Sequence, residues 1–297
     1  MKKFKKEWPF HLMLLPAVIM VIIFNYVPMA GVSLAFLDYK PAKGLAKAAF
    51  VGWKQFETLF ENPNFFLALK NTVIIAGWKL ITGLIVPLVL ALLLNEIRKS
   101  WYKRVAQTLI YLPYFISWVL MAGIIVDIFS PTDGLVNRAL ESFGVEPIYF
   151  LGSNTWARFT MILTNIWKEA GWGTIIFMAA LTGVDLNLYE AAVIDGAGRL
   201  KQMQHVTIPA IVPTIVLVGT LSLSNVLNAG FDQIYNLMTG VTMETLDIID
   251  TLVYRIGVQN GQFSLATAAG LFKSVVSSFF IILSYRLADK LAGYKIF

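Results

Sequence analysis

Six long apolar segments constrain this chain more than any other feature of its sequence. They cover approximately residues 10–37, 67–94, 105–130, 158–183, 208–229 and 263–288. A helix needs about 20 apolar residues to cross the hydrocarbon core of a bilayer, and every segment reaches that length. Prolines interrupt several segments, which a membrane bundle tolerates because neighbouring helices satisfy the backbone groups left free. The pattern therefore predicts an all-α membrane protein with six transmembrane helices.

The composition excludes the common soluble classes. Of the 297 residues, 57% are hydrophobic and only 14% are charged, and the mean hydropathy is +0.68. A soluble domain carries about 25% charged residues, and a disordered chain is poorer in apolar residues. The absence of cysteine excludes disulfides and thiolate metal sites. The formal net charge of +6 does not indicate nucleic-acid binding, because the basic residues are sorted by loop instead of clustering on one soluble face.

The distribution of Lys and Arg predicts the orientation. Both termini and the loops 95–104 and 184–207 together hold 13 of these residues, whereas the remaining loops hold 6. Because basic loops stay in the cytoplasm, we expect both termini inside. The first apolar segment exceeds the 7–15 residues of a signal-peptide core, so we expect a retained span. The predicted organisation is a cytoplasmic tail (1–9), one membrane domain (10–288) and a second cytoplasmic tail (289–297).

Motifs of enzyme chemistry are missing from the sequence. It contains no G-x-x-x-x-G-K-[ST] loop, no G-x-S-x-G and no H-E-x-x-H. The two histidines, His11 and His205, are too far apart in the sequence to suggest a metal site. We therefore predict no catalytic residue, no metal and no cofactor in this chain.

The inner loop 184–207 is the most informative stretch. Apolar or small residues recur in it at intervals of three or four, as in a helix with one weakly apolar face. These residues are Tyr189, Ala192, Val193, Gly196, Ala197, Leu200 and Met203. Periodicity alone leaves two interpretations open, a helix lying on the lipid headgroups or a short helical knuckle presented to a cytoplasmic partner.

Particular residues in this loop resemble the EAA loop of permease subunits from bacterial ABC importers. The residues that carry the resemblance are Glu190, Ala191, Ala192, Asp195, Gly196 and Ala197, followed by Ile208, Pro209 and Pro213. The resemblance implies that the loop lodges in a cleft of a separate ATPase. Small side chains would then allow close packing, and Glu190 and Asp195 would make polar contacts.

Other segments resemble the LplB-type branch of carbohydrate permeases, which is associated with uptake of oligosaccharides and polysaccharide fragments. They are 109–118, 133–137, 247–251 with Tyr254 and Arg255, and 268–274. The resemblance implies a type I importer permease in the bacterial cell membrane. It also implies a second permease as heterodimer partner, a cytoplasmic ATPase dimer that binds ATP and Mg, an extracellular solute-binding protein and a carbohydrate substrate.

Polar and aromatic residues near the fourth and fifth segments are candidates for the substrate pathway. They are Asn165, Trp167, Glu169, Trp172, Asn225, Asn228, Asp232 and Tyr235. Because charge exposed to lipid costs several kcal/mol, we expect the charged residues within the spans to face a cavity, a partner or an interface. They are Lys79, Lys168, Glu169 and Lys273. The alternative is structural, since Asn joins helices, Trp lies in interfacial belts and Lys extends to the headgroups.

Three further questions stay open at this level. The aromatic spacing from Trp53 to Phe60 predicts a short outer helix, either interfacial or a docking surface for the binding protein. The cargo of the same permease class is a carbohydrate or another solute, such as a glycerol phosphoester. A stand-alone secondary transporter or a membrane enzyme is the alternative class, although the chain shows little of the coupling-ion site or catalytic constellation that each requires.

Overall fold

Long α-helices dominate the structure, a computed structural model that describes the backbone of residues 2–292 and the side chains of residues 8–286. Of the predicted tails 1–9 and 289–297, residues 1 and 293–297 lie outside the described residues. The α-helices are α1 (Lys2–Val21), α2 (Val27–Met29), α3 (Lys54–Glu61), α4 (Pro63–Glu96), α5 (Ser100–Tyr111), α6 (Trp118–Ile128), α7 (Leu135–Ser142), α8 (Asn154–Thr182), α9 (Leu186–Ile194), α10 (Arg199–Gln202), α11 (Ile208–Leu223), α12 (Phe231–Leu237), α13 (Met243–Leu246), α14 (Ile249–Tyr254) and α15 (Phe263–Ala292).

Shorter elements connect these helices. Two strands, β1 (Leu37–Asp38) and β2 (Ala49–Phe50), pair antiparallel. Turns of 3₁₀ helix occupy Ala30–Phe36, Pro41–Lys43, Leu45–Lys47 and Leu112–Phe115, and π-helical turns occupy Ile22–Tyr26, Met203–Thr207 and Arg255–Gln259.

Helices long and apolar enough to cross a membrane confirm the predicted all-α membrane fold. Among the described residues, four helical stretches pass this test alone: Trp8–Phe36, Pro63–Glu96, Arg199–Leu223 and Phe263–Arg286. Two bent pairs bring the number to six if each pair is one span. They are Ser100–Phe115 with Trp118–Ile128, bent by 111°, and Asn154–Thr182 with Leu186–Ile194, bent by 71°.

Two of the predicted segments are not continuous helices. The third, 105–130, breaks after Phe115, because Pro113 offers no N–H and the Ser117 hydroxyl caps α6 by accepting from the Leu120 N–H at 3.4 Å. The fifth, 208–229, ends as a helix at Leu223, and residues 224–230 are irregular. Gly230 closes this irregular stretch with φ of +86°, a conformation that L side chains rarely adopt.

The chain forms two compact units, of which the first combines residues up to Phe65 with Leu252–Lys273. The predicted outer helix is present as α3, with Phe56 and Leu59 buried. In the core of the first unit, Phe56 packs with Ala35 and Ala268. The backbone N–H of Tyr39, just after β1, donates to Ser264 Oγ at 3.0 Å.

The second unit, Phe66–Thr251 with residues from Ser274 onward, contains the larger apolar clusters. Its helix α8 carries two glycines at close contacts. A Cβ on Gly171 would lie 2.6 Å from the carbonyl oxygen of Ile110 in α5, and one on Gly173 would lie 2.8 Å from Pro87 in α4. Because lipid gives helices little hydrophobic drive to associate, such close approach is a main source of their packing energy.

We expect Gly171→Ala to lower the stability of the detergent-solubilised protein by about 1–3 kcal/mol, because the new methyl group meets backbone atoms that cannot yield locally. Gly77→Ala in α4 is the matched control, since no atom lies within 4 Å of its added Cβ. The midpoint of thermal unfolding measures both changes. Equal midpoints for the two variants would show that the α8 contact contributes nothing.

Candidate functional site

Three charged side chains lie at the midpoints of two long helices. Lys79 is 16 residues from the start of α4 and 17 from its end, and Lys168 is 14 residues from either end of α8. Glu169 follows Lys168 directly. Charge at the middle of a membrane span costs several kcal/mol unless it is solvated or paired, so this level of the protein requires polar surroundings.

A polar cleft of about 320 Å³ occupies this level of the second unit. Its volume lies at the lower end of the range of about 300–1,000 Å³ that small-molecule sites occupy. The side chains that give it polar or aromatic character are Lys79, Trp118, Asn165, Glu169, Ser222, Asn225 and Asn228. They come from α4, α6, α8, the end of α11 and the irregular stretch 224–230.

Lys79 lies at the centre of a hydrogen-bond network in one wall of the cleft. Its Nζ donates to the carbonyl oxygen of Ala229 at 2.6 Å and to Gln233 Oε1 at 2.5 Å. The fully buried Gln233 donates in turn from Nε2 to the carbonyl oxygen of Met161 and to Thr164 Oγ1, both at 2.8 Å. The ammonium therefore satisfies a carbonyl of the irregular stretch that follows α11, and the amide joins α12 to α8.

Gly230 is required at the same place for two reasons. Its φ of +86° favours glycine, and a Cβ there would lie 2.8 Å from Lys79 Nζ. A Cβ at this position would therefore push the Lys79 ammonium away from its present position.

Lys168 is held differently, away from the lining of the cleft. Only 7% of its side chain is exposed. Its Nζ donates to the carbonyl oxygen of Tyr114 at 3.1 Å and to Glu169 Oε1 at 3.3 Å, and lies over the rings of Tyr114 and Trp118 at 5.3 and 5.2 Å. Lys168 therefore stabilises the break between α5 and α6 and pairs with Glu169.

The structure brings together four of the eight predicted pathway residues. Asn165, Glu169, Asn225 and Asn228 line the cleft. Trp172 lies one helical turn beyond Glu169 and stacks on Tyr114, with ring centroids 5.2 Å apart. The three others are exposed and are not among the described residues that line the cleft: Trp167, Asp232 and Tyr235.

Sequence reasoning did not assign Trp118 or Ser222 to the pathway. Trp118 reaches the cleft because the chain turns by 111° just before it. No local sequence pattern predicts that angle. Ser222 had a signal, since it precedes Asn225 by three residues and so shares its side of a helical turn. Lys79 was expected to face a cavity, a partner or an interface, and it lines the cleft.

The predicted EAA loop is a short helix with a defined end. The helix α9 begins after Asp185, whose carboxylate accepts from the Asn187 N–H at 2.9 Å. It ends in a Schellman motif, in which the N–H of Ala197 bonds the Ala192 carbonyl oxygen at 2.9 Å and that of Gly196 bonds the Val193 carbonyl oxygen at 3.0 Å. Gly196 has the left-handed φ of +76° that this motif needs.

Side-chain contacts fold the loop back on itself. Tyr189 Oη and Thr207 Oγ1 are 2.9 Å apart, and Gln202 Nε2 donates to the Ala197 carbonyl oxygen at 2.7 Å. Arg199 lies 3.6 Å from Glu96 at the end of α4, an exposed ion pair that contributes little stability. The loop therefore has a fixed shape, with a hollow of about 370 Å³ along α9.

Most residues of the EAA resemblance face outward. Glu190, Ala191, Asp195 and Gly196 are exposed, and Ala192 and Ala197 are half-buried against the returning chain. The residues of the predicted apolar face also divide between exposed and half-buried positions. Among them, Val193 and Leu200 are 61% and 66% exposed, whereas Tyr189, Ala192 and Met203 are half-buried. Ile194, which is outside the predicted apolar face, is 86% exposed, so α9 presents apolar surface outside the loop.

Membrane-spanning helices around a polar cleft, with an ordered loop after one of them, define the class as a transport permease. Residues 83–293, more than two thirds of the chain, match the family described as binding-protein-dependent transport system inner membrane component. The chain belongs to this family. Membership favours a binding-protein-dependent transporter over the stand-alone transporter and the membrane enzyme that the sequence left open.

Two relatives from Bacillus subtilis (strain 168) are similar over most of their length. The polygalacturonan/rhamnogalacturonan transport system permease protein YteP is 46% identical over 94% of this chain and 87% of its own, and protein LplB is 43% identical over 98% and 91%. A solved bacterial alginate ABC transporter, in complex with an alginate pentasaccharide-bound periplasmic protein, has a chain that is 38% identical with a TM-score of 0.92, covering 99% of both chains. These similarities confirm the resemblance to LplB-type permeases.

We expect Gln233→Leu to lower the free energy of unfolding by about 3 kcal/mol, because it removes the acceptor of the Lys79 ammonium and the donor to the Met161 carbonyl of α8. Asn236→Leu on the exposed side of α12 is the control, with an expected change within about 0.5 kcal/mol. Denaturant titration in mixed micelles measures both. A Gln233→Leu protein as stable as the control would contradict the structural role of the network.

Proposed function

We propose that this chain is one of two permease subunits through which an ABC importer takes up an oligosaccharide or polysaccharide fragment. The observation that carries the proposal is the polar cleft at the midpoints of α4 and α8 in a chain of this family. Relatives named for polygalacturonan, rhamnogalacturonan and alginate transport support a carbohydrate as cargo.

The chemistry of the cleft suits a sugar. Three amides, a hydroxyl and a carboxylate supply donors and acceptors for hydroxyl groups: those of Asn165, Asn225, Asn228, Ser222 and Glu169. Trp118 adds an aromatic surface on which the apolar face of a sugar ring packs. Trp172, stacked on Tyr114 and half-exposed, extends that surface by one turn of α8.

The exposed side of α9 is the proposed docking surface of the ATPase. This side exposes Glu190, Asp195 and the apolar Ile194 to a partner. On the opposite side, the contact between Tyr189 and Thr207 holds the loop in place. Moving an inward-to-outward ratio from 1:99 to 99:1 requires about 5.5 kcal/mol of differential interaction, which a docked and rigid loop is able to transmit. ATP and Mg would be bound by that ATPase.

The remaining partners and the topology belong to the same proposal. A second permease would complete the pathway as a heterodimer, and an extracellular solute-binding protein would deliver the cargo. Residues 10–288 would form one permease domain in the bacterial cell membrane, with loop 184–207 and both termini in the cytoplasm, as the charge distribution predicts.

Mass spectrometry of what co-purifies with this chain from its native membrane in mild detergent tests the assembly. We expect a second permease and an ATPase with a nucleotide-binding loop in stoichiometric amounts. The chain alone, in a detergent shown to retain peripheral subunits of another importer, would contradict the proposed assembly.

Substitutions in the loop test its coupling role. We expect Gly196→Pro to abolish ATPase association, because proline fixes φ near −65° and this site requires +76°. Asp195→Arg should do the same by reversing an exposed charge. Both chains should still insert in the membrane.

Gly198→Ala is the matched control in the same loop, since Gly198 has an ordinary φ of −69° and free space around its Cβ position. Co-precipitation of the ATPase and transport rate are the measurements. If Gly196→Pro and Asp195→Arg associate and transport like Gly198→Ala, the coupling assignment is wrong.

A further inference from the structure

The charges around the cleft do not balance. Two lysines, Lys79 and Lys168, and a single carboxylate, Glu169, lie at this level of the second unit. Lys168 is within 3.3 Å of Glu169 and is almost completely buried, so these two charges compensate each other. Glu169 lines the cleft together with Lys79, so the two ammonium groups share one carboxylate, and these three residues carry a net charge of +1.

The hydrogen bonds of Lys79 leave it able to bind a ligand. Gln233 must present its oxygen to Nζ, because its nitrogen donates to the Met161 carbonyl, which only accepts. The carbonyl of Ala229 also only accepts. An ammonium has three N–H donors, and two of them have these acceptors among the described residues. The third N–H remains for the cleft that Lys79 lines.

We propose that Lys79 is a recognition group for a carboxylate on the cargo, so that the imported carbohydrate contains hexuronate sugars. The proposal deepens the proposed function and rests on it. A uronate carboxylate placed in the cleft would accept from Lys79 Nζ and compensate the unbalanced positive charge, which low-dielectric surroundings otherwise make costly. The neighbouring amides of Asn225 and Asn228 would meet the hydroxyl groups of the same sugar.

The composition of the cleft favours a monoanionic sugar over a phosphoester. It offers one ammonium, amides and a hydroxyl, and it includes a carboxylate, Glu169. A phosphate has up to two charges and three strongly accepting oxygens, which proteins commonly meet with arginine forks or several backbone N–H groups. Glu169 would oppose a dianion more strongly than a carboxylate.

The test measures uptake by the complete importer in proteoliposomes, with its binding protein supplied in saturating amount. The cargoes are a galacturonate trisaccharide, the neutral galactose trisaccharide of the same linkage, and glycerol phosphate. The informative quantity is the ratio of acidic to neutral uptake, because a purely structural defect lowers both. The binding protein is the same for every variant, so a change in the ratio arises in the permease.

We expect Lys79→Gln to lower the acidic-to-neutral ratio at least tenfold, as the loss of a charge-assisted hydrogen bond predicts. Lys79→Arg should keep most of the wild-type ratio, because it retains the positive charge. Glu169→Gln should raise the ratio, since this substitution removes the opposing negative charge. Lys70→Gln, an exposed lysine on the same helix, is the control with an unchanged ratio.

The outcomes separate the two proposals. An unchanged ratio in Lys79→Gln, or wild-type uptake of the neutral trisaccharide alone, overturns the role of Lys79 and leaves carbohydrate import standing. Wild-type uptake of glycerol phosphate without either trisaccharide overturns both. If Lys79→Gln does not assemble, Glu169→Gln decides, because a ratio that is unchanged or lower contradicts the proposal.

Discussion

The ammonium of Lys79 is the interaction on which the centre of the second unit depends. A helix that stops inside a membrane leaves carbonyl oxygens without partners, and lipid supplies none. Lys79 satisfies the carbonyl of Ala229 and at the same time fixes the amide of Gln233, which reaches α8. A charge that would be unfavourable in lipid thus becomes favourable because the backbone around it is irregular. The charged side chain and the irregular backbone therefore stabilise each other.

The second break in the bundle follows the same principle with a different lysine. The turn between α5 and α6 frees the carbonyl of Tyr114, and Lys168 bonds it while two aromatic rings cover the ammonium. Lys168 and Glu169 are adjacent in sequence but have different tasks, since one is buried and structural and the other lines the cleft. Their pairing places two opposite charges within 3.3 Å of each other at the midpoint of a span.

The sequence correctly predicted the features that depend on local composition. It did not predict the features that depend on the angles between helices. Apolar length located the long helices, and the spacing of small residues located α9 with its glycine end. The break after Phe115 was missed because a single proline is compatible with a continuous membrane helix. The end of α11 at Leu223 was missed because residues 224–229 contain no proline or glycine that would mark it. Trp118 joined the cleft, and Asp232 and Tyr235 did not, through angles that no periodicity encodes.

The two glycines of α8 have a mechanical consequence. At Gly171 and Gly173 the backbone of α8 lies directly against α5 and α4, without side chains long enough to deform. The part of α8 from Glu169 to Thr182 is about 20 Å long at 1.5 Å per residue, and α9 begins four residues after Thr182. A tilt of about 10° over that length would displace one end by about 3–4 Å relative to the other. A rigid tilt of α8 about the contacts at Gly171 and Gly173 would therefore move the start of α9 while Glu169, two residues from Gly171, stayed nearly in place.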